Sequence, residues 1–234
     1  MIPLSDQGAS KLGFPILTVI LIIINALVFV YEMSLGDARL QQFVLQFGVR
    51  PAEITTGQDL APLLPADLPV WVTLFSSMFM HGGWLHFGGN MLYLWVFGDN
   101  IEHTLGKIPY LLFYLFCGLA AAGAQIAADP ASRVPSLGAS GAIAGVLGAY
   151  LVLFPRNKVN TLLILGYFIR MIQLPAIIVL GFWIVLQLFS GVASIGAETD
   201  VAYWAHIGGF VAGLIIGIPI ALTRRNRNTS AWEM

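Results

Sequence analysis

Six apolar stretches of membrane-spanning length limit what this chain can fold into. Hydrocarbon offers an unpaired backbone amide no water, so it admits only helices or closed barrels, and about 20 apolar residues cross it as a helix. The stretches fall at residues 15–33, 85–101, 108–127, 137–154, 174–189 and 201–222. Only 10% of the 234 residues are charged and 58% are hydrophobic, whereas a soluble domain carries roughly 25% charged residues. The expected fold is an all-α membrane protein: one six-transmembrane-helix domain over 1–234, with a short N-terminal segment (1–14) and a basic tail (223–234). No appended soluble domain is expected.

Other classes are disfavoured by the same composition. A formal net charge of −1 without long basic runs argues against nucleic acid as a partner. Cys117 is the single cysteine, which leaves no intramolecular disulfide and no thiolate metal cluster. It lies in an apolar run and reads as a buried, inert thiol. The first apolar stretch follows Lys11 and could pass for a signal peptide. It is longer than a typical signal core of about 7–15 residues and lacks a small-residue cleavage site before Glu32, so it reads as a retained helix.

The one long connection, 34–80, contains Pro51, Pro62, Pro65 and Pro69 and ends in an apolar, aromatic segment at 70–80. A loop of that character is expected to lie at the membrane interface. Residues 155–173 carry Arg156, Lys158, Arg170 and Gln173 among apolar residues. They are expected to form an interfacial segment leading into the fifth helix.

Six spans put both termini on one side. If that side is cytoplasmic, it holds Lys11, Lys107, Arg156, Lys158, Arg170, Arg224, Arg225 and Arg227, leaving Arg39, Arg50 and Arg133 outside. Eight against three, of eleven in all, satisfies the positive-inside rule. The expected location is a cell membrane, with cytoplasmic termini and the lipid bilayer as constant partner.

In this orientation helices two, four and six run inward from the outer face. Their outer ends carry His86, Ser140 and the stretch around His206. With a rise of 1.5 Å per residue, His206 lies roughly 8 Å below the start of helix six and Asn90 about 6 Å below His86. All four polar groups therefore share one layer, and polar groups inside spanning helices imply function by default. Gly209 and Gly213 lie within roughly 60° of His206 round the helix, and Gly141, Gly145 and Gly148 form a matching stripe below Ser140. Small residues at this spacing let membrane helices pack backbone to backbone. Ser140 Oγ would then reach the His206 imidazole, the contact that activates a serine nucleophile. His86 and Asn90, four apart on one helical face, can both donate toward a single oxyanion. His81 is expected in the preceding loop.

Bland readings compete with each residue. A glycine-flanked serine is usually a packing residue, a lone histidine is often internally bonded, and His86 with Asn90 could tie the long loop to the bundle. A zinc site from His81, His86 and His206 is a weaker constellation, lacking His-Glu-x-x-His and any cysteine ligand. A small transporter would place ionisable residues near the midplane on broken helices, whereas the charges here cluster at helix ends. No metal and no cofactor is expected.

Three motifs, in order, resemble the rhomboid family of intramembrane serine proteases: His81-x4-His86-x3-Asn90, Gly138-x-Ser140-Gly141 and His206-x-x-Gly209-x-x-x-Gly213. Glu102, twelve residues after Asn90, falls where that family has a structural glutamate. The resemblance covers essentially the whole chain and implies a rhomboid-like bundle. It also implies Ser140 as nucleophile, His206 as general base, and His86, Asn90 and the Ser140 amide around the oxyanion. No acidic third member is implied. Substrates would be transmembrane proteins, cleaved near the outer end of a spanning segment through an acyl-enzyme. A lateral gate near helix five is implied, with Phe182 and Trp183 as candidates. Two positions depart from the pattern. Ala144 stands where some members have an aromatic ring on the base histidine, so support for His206 is expected elsewhere, at Phe210 or Tyr203. Trp71 is followed by Val72 rather than arginine. A catalytically inactive member that binds transmembrane helices is the alternative.

Overall fold

The computed structural model describes residues 1–7, 13–58, 60, 69–195 and 201–230. Lys11, Pro62, Pro65, the side chains of Arg225 and Arg227, and the tail end at 231–234 lie outside the described residues. Each of the six apolar stretches holds a helix, and shorter helices fill much of the long connection. In chain order the helices are α1 (Ile16–Ser34), α2 (Asp37–Phe47), α3 (Pro51–Thr56), α4 (Val70–Phe79, partly 3₁₀), α5 (Trp84–Leu105) and α6 (Lys107–Ala128). After them come α7 (Ser140–Leu153), α8 (Ala176–Ala193) and α9 (Tyr203–Ser230). Four segments, Ile16–Ser34, Lys107–Ala128, Ala176–Ala193 and Tyr203–Arg224, are long and apolar enough to cross a membrane. The shorter α7 is equally apolar in character.

The all-α expectation needs correction. A three-stranded antiparallel sheet caps one end of the bundle, in the order β1 (Ile2–Asp6), β2 (Lys158–Leu165), β3 (Phe168–Pro175). The segment expected as an interfacial lead-in to the fifth helix is therefore a β-hairpin, and the N-terminal segment supplies its third strand. The hairpin closes through Gly166-Tyr167, with Gly166 at φ +58°, the sign that two-residue hairpin turns require. A buried polar knot anchors β1: the Asp6 carboxylate accepts from Asn100 Nδ2 at 3.0 Å and from the Tyr150 hydroxyl. Asn157 Nδ2 in turn donates to the Tyr150 oxygen at 3.2 Å.

At the centre stands α7, buried continuously from Gly141 to Tyr150. Its contact with α9 is backbone on backbone. A β-carbon on Gly209 would lie 2.0 Å from the Gly141 carbonyl oxygen, and one on Gly213 would lie 1.9 Å from that of Gly145. On the other side of α7, a β-carbon on Gly145 would meet the Cys117 side chain of α6 at 2.4 Å, and Cys117 itself is fully buried and unpaired. These separations are far below van der Waals contact, so no larger residue fits without moving a helix.

At the sheet end, Glu102 ties α5 to the start of α1. Its carboxylate accepts from the Leu17 amide at 3.0 Å, the Thr18 amide at 2.8 Å and the Thr18 hydroxyl at 2.8 Å. The first amides of a helix have no partner within it, and here the neighbouring helix supplies one. At the opposite, loop end, Glu32 does the converse, accepting from the His81 amide at 3.1 Å.

Four variants carry the expected outcomes. Gly213→Ala should destabilise the bundle by about 1–3 kcal/mol, the usual range for overpacking. Gly123→Ala, on α6 with open space at the β-carbon, should be neutral or gain up to about 1 kcal/mol from helix propensity. Glu102→Ala should cost on the order of 1–3 kcal/mol by orphaning buried donors, with Glu102→Gln intermediate because its amide keeps one acceptor. Unfolding midpoints in detergent for the four variants provide the check.

Candidate functional site

Ser140 is the first residue of α7, and the turn before it fixes its position. Gly138 adopts φ +130° and donates its amide to the Ser77 carbonyl at 2.8 Å. Two residues earlier, Ser136 exchanges backbone hydrogen bonds with Val49 at 2.8 and 3.0 Å. The long connection thus clamps the loop that delivers the serine. Gly138 is needed here for space as well as for φ: a β-carbon would lie 2.7 Å from His86 Nε2 and 3.4 Å from Ser140 Oγ.

The close packing of α7 on α9 brings Ser140 Oγ to 2.8 Å from His206 Nε2. That lies inside the range of about 2.6–3.2 Å in which a histidine can take a hydroxyl proton. His206 Nδ1 is 2.7 Å from Gln187 Oε1 of α8. The Trp183 ring, one turn earlier on α8, packs at 5.8 Å between centroids and a 40° tilt. Support for the imidazole therefore comes from α8 rather than from Phe210 or Tyr203; Phe210 packs against Trp183 at 6.1 Å. Ala144 is fully buried in the core. Of the two gate candidates, Trp183 faces the histidine while Phe182 is about half exposed, at 49%.

Near the start of α5, His86 lies beside Gly138 and Ser140. Its Nδ1 accepts from the Gly82 amide at 3.4 Å, which leaves the proton on Nε2, the nitrogen close to Gly138. Asn90, one turn further on, is buried, and its Nδ2 has no hydrogen-bond partner among the described residues. A buried amide without an acceptor is costly, so this is a donor without an internal acceptor. His81 sits in the loop before α5, packed edge-on to Phe29 and Phe87 with ring centroids 5.2 Å from His86. Burial, with His86 alongside, pushes its imidazole down to about 4, so it is neutral at physiological pH. Among the described residues no three His, Cys, Asp or Glu side chains are placed to hold a metal ion.

A narrow cleft adjoins the serine, lined by small residues (Gly118, Gly138, Gly141, Ala205) and by Leu74 and Met78 of α4. The site so assembled holds a hydroxyl on an imidazole, the His86 ring beside Gly138, an unpartnered Asn90 amide on the same helix as His86, and a narrow cleft at the serine.

Gln187 and Glu32 were not singled out from the sequence. Both are polar groups inside apolar helices, the signal that marked Ser140 and His206. Glu32 lies where the apolar run ends and reads there as a boundary residue, and Gln187 belongs to no recognisable spacing.

A mostly helical bundle with membrane-length segments defines a multi-pass membrane protein, and a serine–histidine contact lies in its interior. The rhomboid domain model matches residues 69–223, more than half of the chain, and the protein belongs to the rhomboid family. It is similar to Rhomboid protease GluP of Bacillus subtilis (strain 168), 29% identical over 217 residues, covering 93% of this chain and 38% of that protein. RHOMBOID-like protein 5 of Arabidopsis thaliana is 33% identical over 149 residues, 64% of this chain and 44% of that protein. Rhomboid protease AarA of Providencia stuartii is 28% identical over 238 residues, 94% of this chain and 77% of that protein. The chain thus spans less than half the length of the first two.

Proposed function

We propose that the protein is an intramembrane serine endopeptidase that cleaves transmembrane segments of other proteins through a Ser140–His206 dyad. One observation carries the reading: the 2.8 Å contact between Ser140 Oγ and His206 Nε2, held at the loop end of two helices that glycines press together. Family membership supports it, as do the relatives named as rhomboid proteases.

Six spans (α1 and α5–α9) in one domain over 1–234 account for the geometry. The 14 residues of α7 reach only about 21 Å, short of a hydrocarbon core about 30 Å thick. With the sheet end at the cytoplasmic face, where Arg156, Lys158 and Arg170 lie, Ser140 starts below the outer surface. Both termini are then cytoplasmic and the cleft opens outward, admitting the water that hydrolysis needs.

In the reaction, His206 Nε2 takes the Ser140 proton as the oxygen attacks the scissile carbonyl. The developing oxyanion is met by His86 Nε2–H, Asn90 Nδ2–H and the Ser140 amide, the last at the positive end of α7. His206 returns the proton to the leaving amine, and water hydrolyses the acyl-enzyme. A substrate helix must unwind before its carbonyls can react, so segments with glycine, proline or small polar residues near their outer end are the favoured substrates. Gly209 and Gly213 serve this chemistry by keeping the two catalytic helices in contact, and Gly141 and Gly145 by letting α6 pack closely behind α7.

Purified protein in liposomes should cleave a labelled single-pass helix, and Ser140→Ala and His206→Ala should abolish cleavage while remaining folded. Cleavage at the wild-type rate by either variant contradicts the dyad. Asn90→Ala should lower kcat by about 10²–10³, the usual loss for one oxyanion donor, with KM little changed. A change confined to KM would place Asn90 in substrate docking instead.

A further inference from the structure

His206 has two ring nitrogens, and Ser140 engages only one of them. An imidazole can accept the serine proton at Nε2 only if its own proton resides on Nδ1, so whatever bonds Nδ1 sets the competence of the base. The group found there is Gln187 Oε1 at 2.7 Å. Resting on the dyad reading, we infer that Gln187 is the positioning residue of the site: its carbonyl oxygen accepts the Nδ1–H, fixes the productive tautomer and holds the ring on Ser140.

Three features carry this role. Of the side chains on α8, Ala176–Ala193, none is charged and Gln187 bears the one amide, so an amide is present where apolar residues would satisfy lipid and core alike. Its contact is direct and short, and it comes from a helix separate from those of Ser140 and His206. The ring is also restrained by Trp183, one turn earlier on the same helix, leaving α8 to control both the tautomer and the plane of the imidazole. A neutral amide suits the location, because a carboxylate in the same place would be costlier to bury. It accepts the same hydrogen bond without adding charge. The opposite amide orientation, with Nε2 donating to the imidazole, would leave the proton on the nitrogen facing Ser140 and the base unable to act.

Two variants separate positioning from packing. Gln187→Met keeps the length and apolar packing of the side chain but loses the acceptor; kcat should fall by about 10–100-fold, the usual cost of removing an orienting partner of a functional histidine, with KM unchanged. Gln187→Glu can only accept when ionised, so it should retain more activity than Gln187→Met. Its negative charge stabilises the imidazolium, which raises the histidine pKa; the base must be neutral, so the low-pH limb of the rate profile should move to higher pH. A residue that merely packs would give the reverse order, with methionine near wild type and glutamate worst, and that order overturns the inference. Should the glutamate variant fail to fold, ¹⁵N spectra of labelled wild-type protein decide the matter: a protonated Nδ1 on His206 is expected, and a protonated Nε2 contradicts it. Ser140→Ala and His206→Ala run alongside keep the two readings apart. If they stay active, the protease reading falls; if they are inert while Gln187→Met matches wild type in kcat and pH profile, only the role of Gln187 falls.

Discussion

Close contact between α7 and α9 is the interaction on which the rest of the structure depends. Hydrocarbon gives helices no hydrophobic reason to associate, since lipid tails are as apolar as leucine, and what holds them is dense van der Waals packing. Gly148 on α7 and Gly209 and Gly213 on α9 lack the side chains that would keep the two backbones apart, while Gly141 and Gly145 leave room for α6. The approach brings an imidazole on one helix within 2.8 Å of a hydroxyl on the other. A methyl group on Gly209 or Gly213 would lie 2.0 or 1.9 Å from a carbonyl oxygen of α7, so it forces the seam to shift.

Several polar groups elsewhere in the bundle sit where a neighbouring helix or turn meets their need. Glu102 accepts the first amides of α1, Glu32 accepts the amide of His81, and Asp6 gathers Asn100 and Tyr150 beneath the sheet. These contacts fix the outer helices and the entry to α5 around the central α7. Asn90 Nδ2, on the helix that also carries His86, has no partner among the described residues, and neither do Asn25 Oδ1 and the two His81 ring nitrogens.

Much of this was legible in the sequence because membrane topology converts order along the chain into depth. Each of the six apolar stretches holds a helix, although α9 runs on to Ser230, past the expected end at 222, and charge asymmetry with helical rise led to an expected common layer for Ser140, His206, His86 and Asn90. The hairpin was hidden because its strands mix polar and apolar residues without strict alternation, and because β1 pairs with a partner more than 150 residues away, beyond any local periodicity. Gln187 was hidden for a related reason. A single amide in an apolar helix has no spacing to mark it, and its meaning depends on which way α8 turns toward α9. The aromatic support expected from Phe210 or Tyr203 presumed that α9 would brace its own histidine, whereas the bracing residues, Gln187 and Trp183, come from the adjacent helix.

The central claim is that His206 activates Ser140 within the membrane. Its most direct test is labelling with a fluorophosphonate, which reacts with a serine only when a base withdraws its proton. Membranes carrying wild-type protein should give a single adduct, mapped by mass spectrometry to Ser140, and His206→Ala should suppress its formation. An adduct on another residue, or labelling of Ser140 that proceeds unchanged without His206, would contradict the account.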